Sequence, residues 1–173
     1  MAGATAFGVA PLRAALLQDP LAFLSAEHRR QLALLAHLER LARAPRARGA
    51  RVMAAALLRW LTEELPLHIA DEEHSLYPRL RHYDAAVVER LSAERLRNAR
   101  LAEGAAQGLR AVAGGGDGGE EVLRDAAAFA RAHRHRLELE EATAMALSRR
   151  MLTAAEQADL AGEMARRRGL DGG

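Results

Sequence analysis

The sequence predicts an all-α protein, and three observations carry that expectation. Half of the 173 residues are hydrophobic while only 3% are aromatic; Ala, Leu, Arg and Glu dominate and β-branched residues are scarce, which favours helix over strand. Apolar residues recur at spacings of three and four over long stretches, the period of an amphipathic helix. Start and stop signals then cut the chain into four long helical segments with short links, the pattern of an up-down-up-down four-helix bundle with a short extra C-terminal helix. At this length the chain reads as one domain, with residues 1–18 a flexible N-terminal segment and residues 19–173 the bundle.

The elements follow in order. Asp19 and Pro20 open the first helix as cap and first helical residue, and the pattern runs to about Ala44, where Pro45 ends it. A basic turn, Arg46 to Gly49, leads into a second helix from about Ala50; Pro66 is expected to kink it and Pro78 to stop it, because proline lacks an N–H and crowds the preceding turn. Asp84 caps a third helix that reaches about Ala113. The glycine tract from Gly114 to Gly119 reads as a flexible connection, and a fourth helix follows from about Glu120 to Arg150. Thr153 and Glu156 form a capping box that opens a shorter fifth helix ending at Gly169.

Composition excludes several chemistries. Cysteine is absent, so there is no disulfide, thiolate metal site or thiol nucleophile, and any metal must sit on nitrogen and oxygen ligands. No continuous apolar run is long enough to span a bilayer and no leader stands at the N-terminus, so a cytoplasmic protein without a membrane partner is expected. The formal net charge is only +2; arginine runs such as Arg166-Arg167-Arg168 lie among glutamates with few aromatics for base stacking, so nucleic acid is not an expected partner. No nucleophile–base constellation or phosphate loop appears, and no catalytic residue is assigned: the chain reads as a binding module rather than an enzyme.

The helical stripes point particular polar side chains inward. In the first helix the stripe is Leu24, His28, Leu32, Leu35 and Leu38; in the second, Leu61, Leu65, His68, Glu72 and Leu76. In the third, Leu91, Arg95, Asn98, Ala102, Ala105 and Leu109 line up; in the fourth, Phe129, His133, Arg136 or Leu137, Glu140, Ala144 and Leu147. His68 and Glu72, four apart, place an imidazole and a carboxylate one turn apart on one face, as two ligands of a non-haem iron or zinc site require. Buried carboxylates such as Glu72 and Glu140 need a metal or a paired cation. His37, His74 and His82 fall off the stripes and are expected at the surface. An internal echo sets Leu24-Ser25-Ala26-Glu27-His28 against Leu91-Ser92-Ala93-Glu94-Arg95, so that His28 in one copy is Arg95 in the other.

With these residues in place, the chain resembles the hemerythrin-like, or HHE cation-binding, family over roughly Asp19 to Gly169. The stretch Leu65-Pro66-Leu67-His68-Ile69-Ala70-Asp71-Glu72-Glu73, followed by Leu76-Tyr77-Pro78, carries most of the likeness, with Leu139-Glu140-Glu141 and the segment from Glu163 to Gly169. The resemblance implies a four-helix bundle with a non-haem di-iron site, sometimes of other metal content, used in oxygen binding, oxidant sensing or iron handling. Carried over residue by residue, the metal ligands are His28, His68, Glu72 and Glu140, with His133 as a further candidate. Two imidazoles of the family pattern fall on Arg95 and Arg136, and a guanidinium cannot ligate a metal. His135 is a shifted alternative, and Glu73 follows the Glu72 ligand.

Two functions therefore stay open. One is a cation-binding module of the non-haem iron type, holding one or two ions or a site weakened by the arginines, whose partner is a metal ion or a small molecule such as oxygen. The other is a metal-free bundle serving as a regulatory or protein-interaction domain, in which Arg95 and Arg136 balance Glu72 and Glu140.

Overall fold

The computed structural model describes residues 10–170, and among the described residues there is no β-strand. Helix α1, Pro20–Arg43, begins as its residues dictate: Pro20 fills the first turn and the Asp19 carboxylate accepts from the Ala22 backbone N–H at 2.9 Å. Helix α2 covers residues 50–80 in three α-helical pieces, Ala50–Arg59, Leu65–Asp71 and Tyr77–Leu80, joined by π-helical turns at Trp60–Glu64 and Glu72–Leu76. Helix α3, Ala85–Ala113, is capped by Asp84, whose carboxylate accepts from Val87 at 3.1 Å. Helix α4 covers residues 120–151 as Glu120–Glu140, a π turn Glu141–Met145 and Ala146–Met151. Helix α5, Ala154–Arg167, opens with the expected Thr153–Glu156 capping box.

Helix α2 runs through both Pro66 and Pro78, so Pro78 does not stop it as expected from sequence. A proline in an α-helix collides with the carbonyl four residues earlier. Those carbonyls belong to Thr62 and His74, and both lie in the π turns. There the ladder is wider: the Leu65 N–H bonds to the Trp60 carbonyl and the Tyr77 N–H to the Glu72 carbonyl, each five residues back. The extra residue in each turn makes room for the ring, and the helix runs on to Leu80.

Two segments expected to be flexible are docked. Within residues 10–18 a 3₁₀ turn, Ala14–Gln18, buries Leu17 in the same apolar cluster as Leu160 and Met164 of α5; residues 1–9 of that expected segment lie outside the described residues. In the glycine tract, Gly118 is buried with φ 83°, a conformation that L side chains rarely adopt. The Asp117 carboxylate accepts from the Gly119 N–H at 3.1 Å and from Arg46 at 2.6 Å.

The four long helices close a square in which α1 packs on α2 and α4, and α3 packs on α2 and α4, while α5 lies across α1 and the middle of α2. Its interior has two apolar clusters. One, around Leu35, Leu57, Trp60, Leu109 and Phe129, fills the end nearest the glycine tract; the other, around Leu24, Leu76, Leu91, Met145 and Met164, fills the opposite end. Between them the bundle holds a buried polar layer that includes His28, Gln31, His68, Glu72, His133, Arg136 and Glu140. Burial of so many polar groups is costly unless each finds a partner.

The third π turn shifts the α4 stripe. The expected position Leu147 is only half-buried, whereas Met145 and Ser148 are fully buried. One inserted residue rotates everything after it, which a uniform 3.6-residue period does not anticipate.

Candidate metal centre

Helices α1 and α2 bring three donor groups together. His28, His68 and Glu72 are each buried, and their ligand-capable atoms lie within 4.8 Å of one another. The His28 Nε2 atom is 3.3 Å from Glu72 Oε1 and 3.8 Å from Glu140 Oε2. Its other nitrogen, Nδ1, lies 2.8 Å from Glu141 Oε1. A carboxylate on the far nitrogen sets the tautomer and aims Nε2 inward, the usual support of a metal-bound histidine. His68 packs edge-on against His28, with ring centroids 5.0 Å apart. Its Nε2 stands 2.6 Å from Glu72 Oε1 without hydrogen-bond geometry, and neither ring nitrogen has a hydrogen-bond partner.

Helix α4 supplies the opposing charge. Arg136 is 1% exposed, and its Nη2 donates to Glu72 Oε2 at 2.5 Å and to the Tyr77 hydroxyl at 3.2 Å, with Glu140 Oε2 at 3.5 Å. Tyr77 in turn donates to Glu140 Oε1 at 2.5 Å. The other Glu140 oxygen, Oε2, has no hydrogen-bond partner.

The environment sets the charges. Burial opposes ionisation of Glu72, but Arg136 and His68 outweigh it and hold that carboxyl well below the usual range. Glu140 is pushed up, by burial first and by the nearby Glu72 charge second. Burial works against a charged His28, yet Glu141, Glu72 and Glu140 together raise it to about 10. Glu141 is drawn down to about 2, chiefly by its bond to His28. Burial and the Glu72 and Glu140 charges push the Tyr77 phenol upward, so it stays a donor.

Several sequence-derived candidates lie elsewhere. His133 is buried, but its Nε2 is 2.7 Å from Gln31 Oε1 and its ring stacks on Phe129 at 5.2 Å, so it faces away from the three donors. Burial and the Arg136 charge hold it neutral, lowering it to about 3. Arg95 does not balance Glu72 or Glu140; with its side chain 30% exposed, it pairs with Glu73. Glu73 is thereby the partner of Arg95 and not part of the centre. His135 is exposed, because residue 135 faces away from the Arg136–Glu140 side of α4. His74 and His82 are exposed as expected, while His37 is half-buried and contacts Arg40 at 2.6 Å.

Tyr77, Glu141 and Asp71 are the residues that periodicity missed. Tyr77 sits five residues after Glu72, and the π turn between them brings it to the same side; the Leu76-Tyr77-Pro78 segment of the family likeness was its sequence signal. Asp71, 0% exposed, faces α5 and takes Arg167 at 2.8 Å and Arg168 at 2.6 Å. Arg168 also lies 5.1 Å from the centre of the Phe23 ring. Two arginines of the Arg166-Arg167-Arg168 run thus dock the C-terminal helix on α2.

The donor set fits one ion and does not fit two. Two imidazoles and a carboxylate suit a single divalent cation, and among the described residues neither buried nitrogen of His68 makes a hydrogen bond of normal geometry. A second ion would need Glu72 Oε2 and Glu140, where the Arg136 guanidinium already supplies the positive charge.

Among the described residues no helix is long and apolar enough to cross a membrane. No curated protein and no solved structure matches the chain significantly. A family model described as the hemerythrin HHE cation binding domain matches residues 19–148, from the cap of α1 to the last turns of α4, leaving α5 outside. The four-helix square, the His28–His68–Glu72 cluster at its middle and that match over three quarters of the sequence agree: the chain belongs to the hemerythrin HHE cation-binding domain family.

Proposed function

We propose that this domain holds a single divalent cation, iron(II) by donor type, on His28, His68 and Glu72, with Arg136 standing where a second ion would add positive charge. The observation that supports the reading most is His68: a buried imidazole whose Nδ1 has no partner among the described residues and whose Nε2 stands 2.6 Å from Glu72 Oε1 without hydrogen-bond geometry, close to His28. Leaving such a group unsatisfied costs about 1–3 kcal/mol, which an ion would recover. Such an ion supplies oxygen or oxidant chemistry or serves iron handling. The chain's own part is to orient His28 through Glu141, to neutralise Glu72 through Arg136 and to exclude water with the two apolar clusters. We assign it no enzymatic activity. Its partners in this reading are the ion and a small molecule such as oxygen, not nucleic acid, and the lack of cysteine fits work in the cytoplasm.

The 2.5 Å contact between Arg136 and Glu72 favours a second reading, a metal-free regulatory or protein-interaction bundle. Metal analysis and anaerobic iron(II) titration separate them. The first reading expects one ion per chain, a higher melting temperature with iron(II) than in chelator, and loss of both in His68→Gln. Two ions per chain would contradict the role given to Arg136. No ion and a melting temperature indifferent to chelator would leave the metal-free bundle.

A further inference from the structure

A cavity lined in part by Arg136 lies within the bundle. Its volume is about 220 Å³, and it is walled by α2, α3 and α4. Most of the wall is apolar: Leu61, Leu65, Ile69, Ala102 and Phe129. Two polar residues in the wall carry hydrogen-bond donors without a partner among the described residues. They are Asn98, through Nδ2, and Arg136, through Nε and Nη1. Asn98 is 8% exposed and Arg136 1% exposed, so solvent does not readily serve them. Arg95, more exposed, stands at the edge of the same cavity and also lines a shallower hollow with Glu73 and His74.

We infer that this cavity binds a small monocarboxylic acid with an apolar body, its carboxylate on Arg136 and Asn98 and its hydrocarbon among Leu61, Leu65, Ile69 and Phe129. Three unpartnered donor atoms on two side chains call for two acceptor oxygens, which a carboxylate supplies and a lone carbonyl or hydroxyl does not. A bond to a guanidinium is charge-assisted and roughly twice as strong as a neutral one. Water could meet the donors but leaves the apolar wall unmatched. A doubly charged oxoanion would forfeit far more hydration against that wall than a monoanion. The volume is below that of drug-sized ligand pockets, which limits the guest to a short chain or a single ring. This site uses neither His28 nor His68; it shares Arg136 with the Glu72 centre, through Nε and Nη1 rather than the Nη2 that binds Glu72.

Titration calorimetry and thermal shift on the full chain test this, with hexanoate and benzoate as probes, in chelator and again with iron(II). Hexanoate is expected to bind and raise the melting temperature in both conditions, with hexanol and acetate each at least tenfold weaker and inorganic phosphate not binding. Asn98→Leu removes an unpartnered donor while keeping the volume, so it should fold at least as well as the parent and weaken hexanoate at least tenfold. Ala102→Leu fills the cavity and should abolish binding. Equal binding of hexanoate and hexanol would overturn the carboxylate assignment, leaving only an apolar void. Undiminished hexanoate binding in folded Ala102→Leu would place the acid elsewhere, and no binding to the folded parent would overturn the site altogether.

Discussion

Asp71 and Glu72 are neighbours in the chain, both 0% exposed, and the fold neutralises them in opposite ways. Asp71 turns outward from the bundle toward α5 and receives two guanidinium groups, one on each oxygen. Both of those arginines reach solvent, with side chains 22% and 17% exposed. Glu72 turns inward, shares one guanidinium with Glu140, and faces His68, whose Nε2 stands 2.6 Å away without hydrogen-bond geometry and whose Nδ1 has no partner among the described residues. The first arrangement is complete and ties the C-terminal helix to α2. The second is incomplete, and an incomplete buried polar layer between two apolar clusters is where a ligand is to be sought. A count of buried carboxylates would treat the two residues alike; only the inventory of their partners separates a latch from a binding centre.

The sharpest way to break this contrast is at Arg136. Arg136→Met keeps the length of the side chain but removes the cation between Glu72 and Glu140, and a broken buried pair costs about 3–5 kcal/mol. Urea unfolding in chelator should show that loss, and iron(II) should restore part of it; an unchanged midpoint would mean that Arg136 does not carry the charge balance. A smaller effect is expected at Asp71. Asp71→Asn leaves Arg167 and Arg168 without their anion, and because both reach solvent the cost should be about 1–3 kcal/mol. Unlike the Arg136 variant it should show no recovery with iron(II), and amide exchange should rise in α5 first. Tyr77→Phe probes the link between the two carboxylates, since its hydroxyl donates to Glu140 and accepts from Arg136. A loss of about 1 kcal/mol is expected by urea unfolding, confined to the central layer and leaving the α5 amides as protected as in the parent.

The smallest expected effect concerns the acid side of the latch. Glu163 of α5 is held below its ordinary value of 4.5, first by its bond from Arg79, and its side chain is partly exposed. A group whose folded pKa is depressed adds stability above its unfolded pKa and loses it as pH falls through the folded value. The parent should therefore lose melting temperature below about pH 4.5 more steeply than Glu163→Gln. Solvent screening keeps the difference under about 1 kcal/mol. Parallel acid limbs for the two proteins would remove this pair from the latch.

The sequence made most of the fold legible. Caps at Asp19, Asp84 and Thr153 mark helix starts because a side-chain oxygen there accepts a backbone N–H that no helix bond can use. The stripes then turned His28, His68, Glu72, Arg136 and Glu140 inward, as found. The π turns were illegible, since a wider ring is stabilised by packing rather than by any residue pattern of its own; with them went the true courses of α2 past Pro66 and Pro78 and the inward position of Tyr77. His133 was correctly placed inside but given the wrong partner, because periodicity tells which face a ring is on and not that Gln31 lies opposite.

What the sequence determined by itself is the all-helical bundle, its family and the identity of most side chains in the central layer, because helix period, capping and residue type are local properties. The tertiary structure alone decided how those side chains divide the charge. Arg95 and Arg136 look equivalent on their stripes, yet one ends at the rim on Glu73 and the other at the centre on Glu72. That choice depends on how far each helix stands from the axis and on which carboxylate lies within reach, and those are distances between segments far apart in sequence.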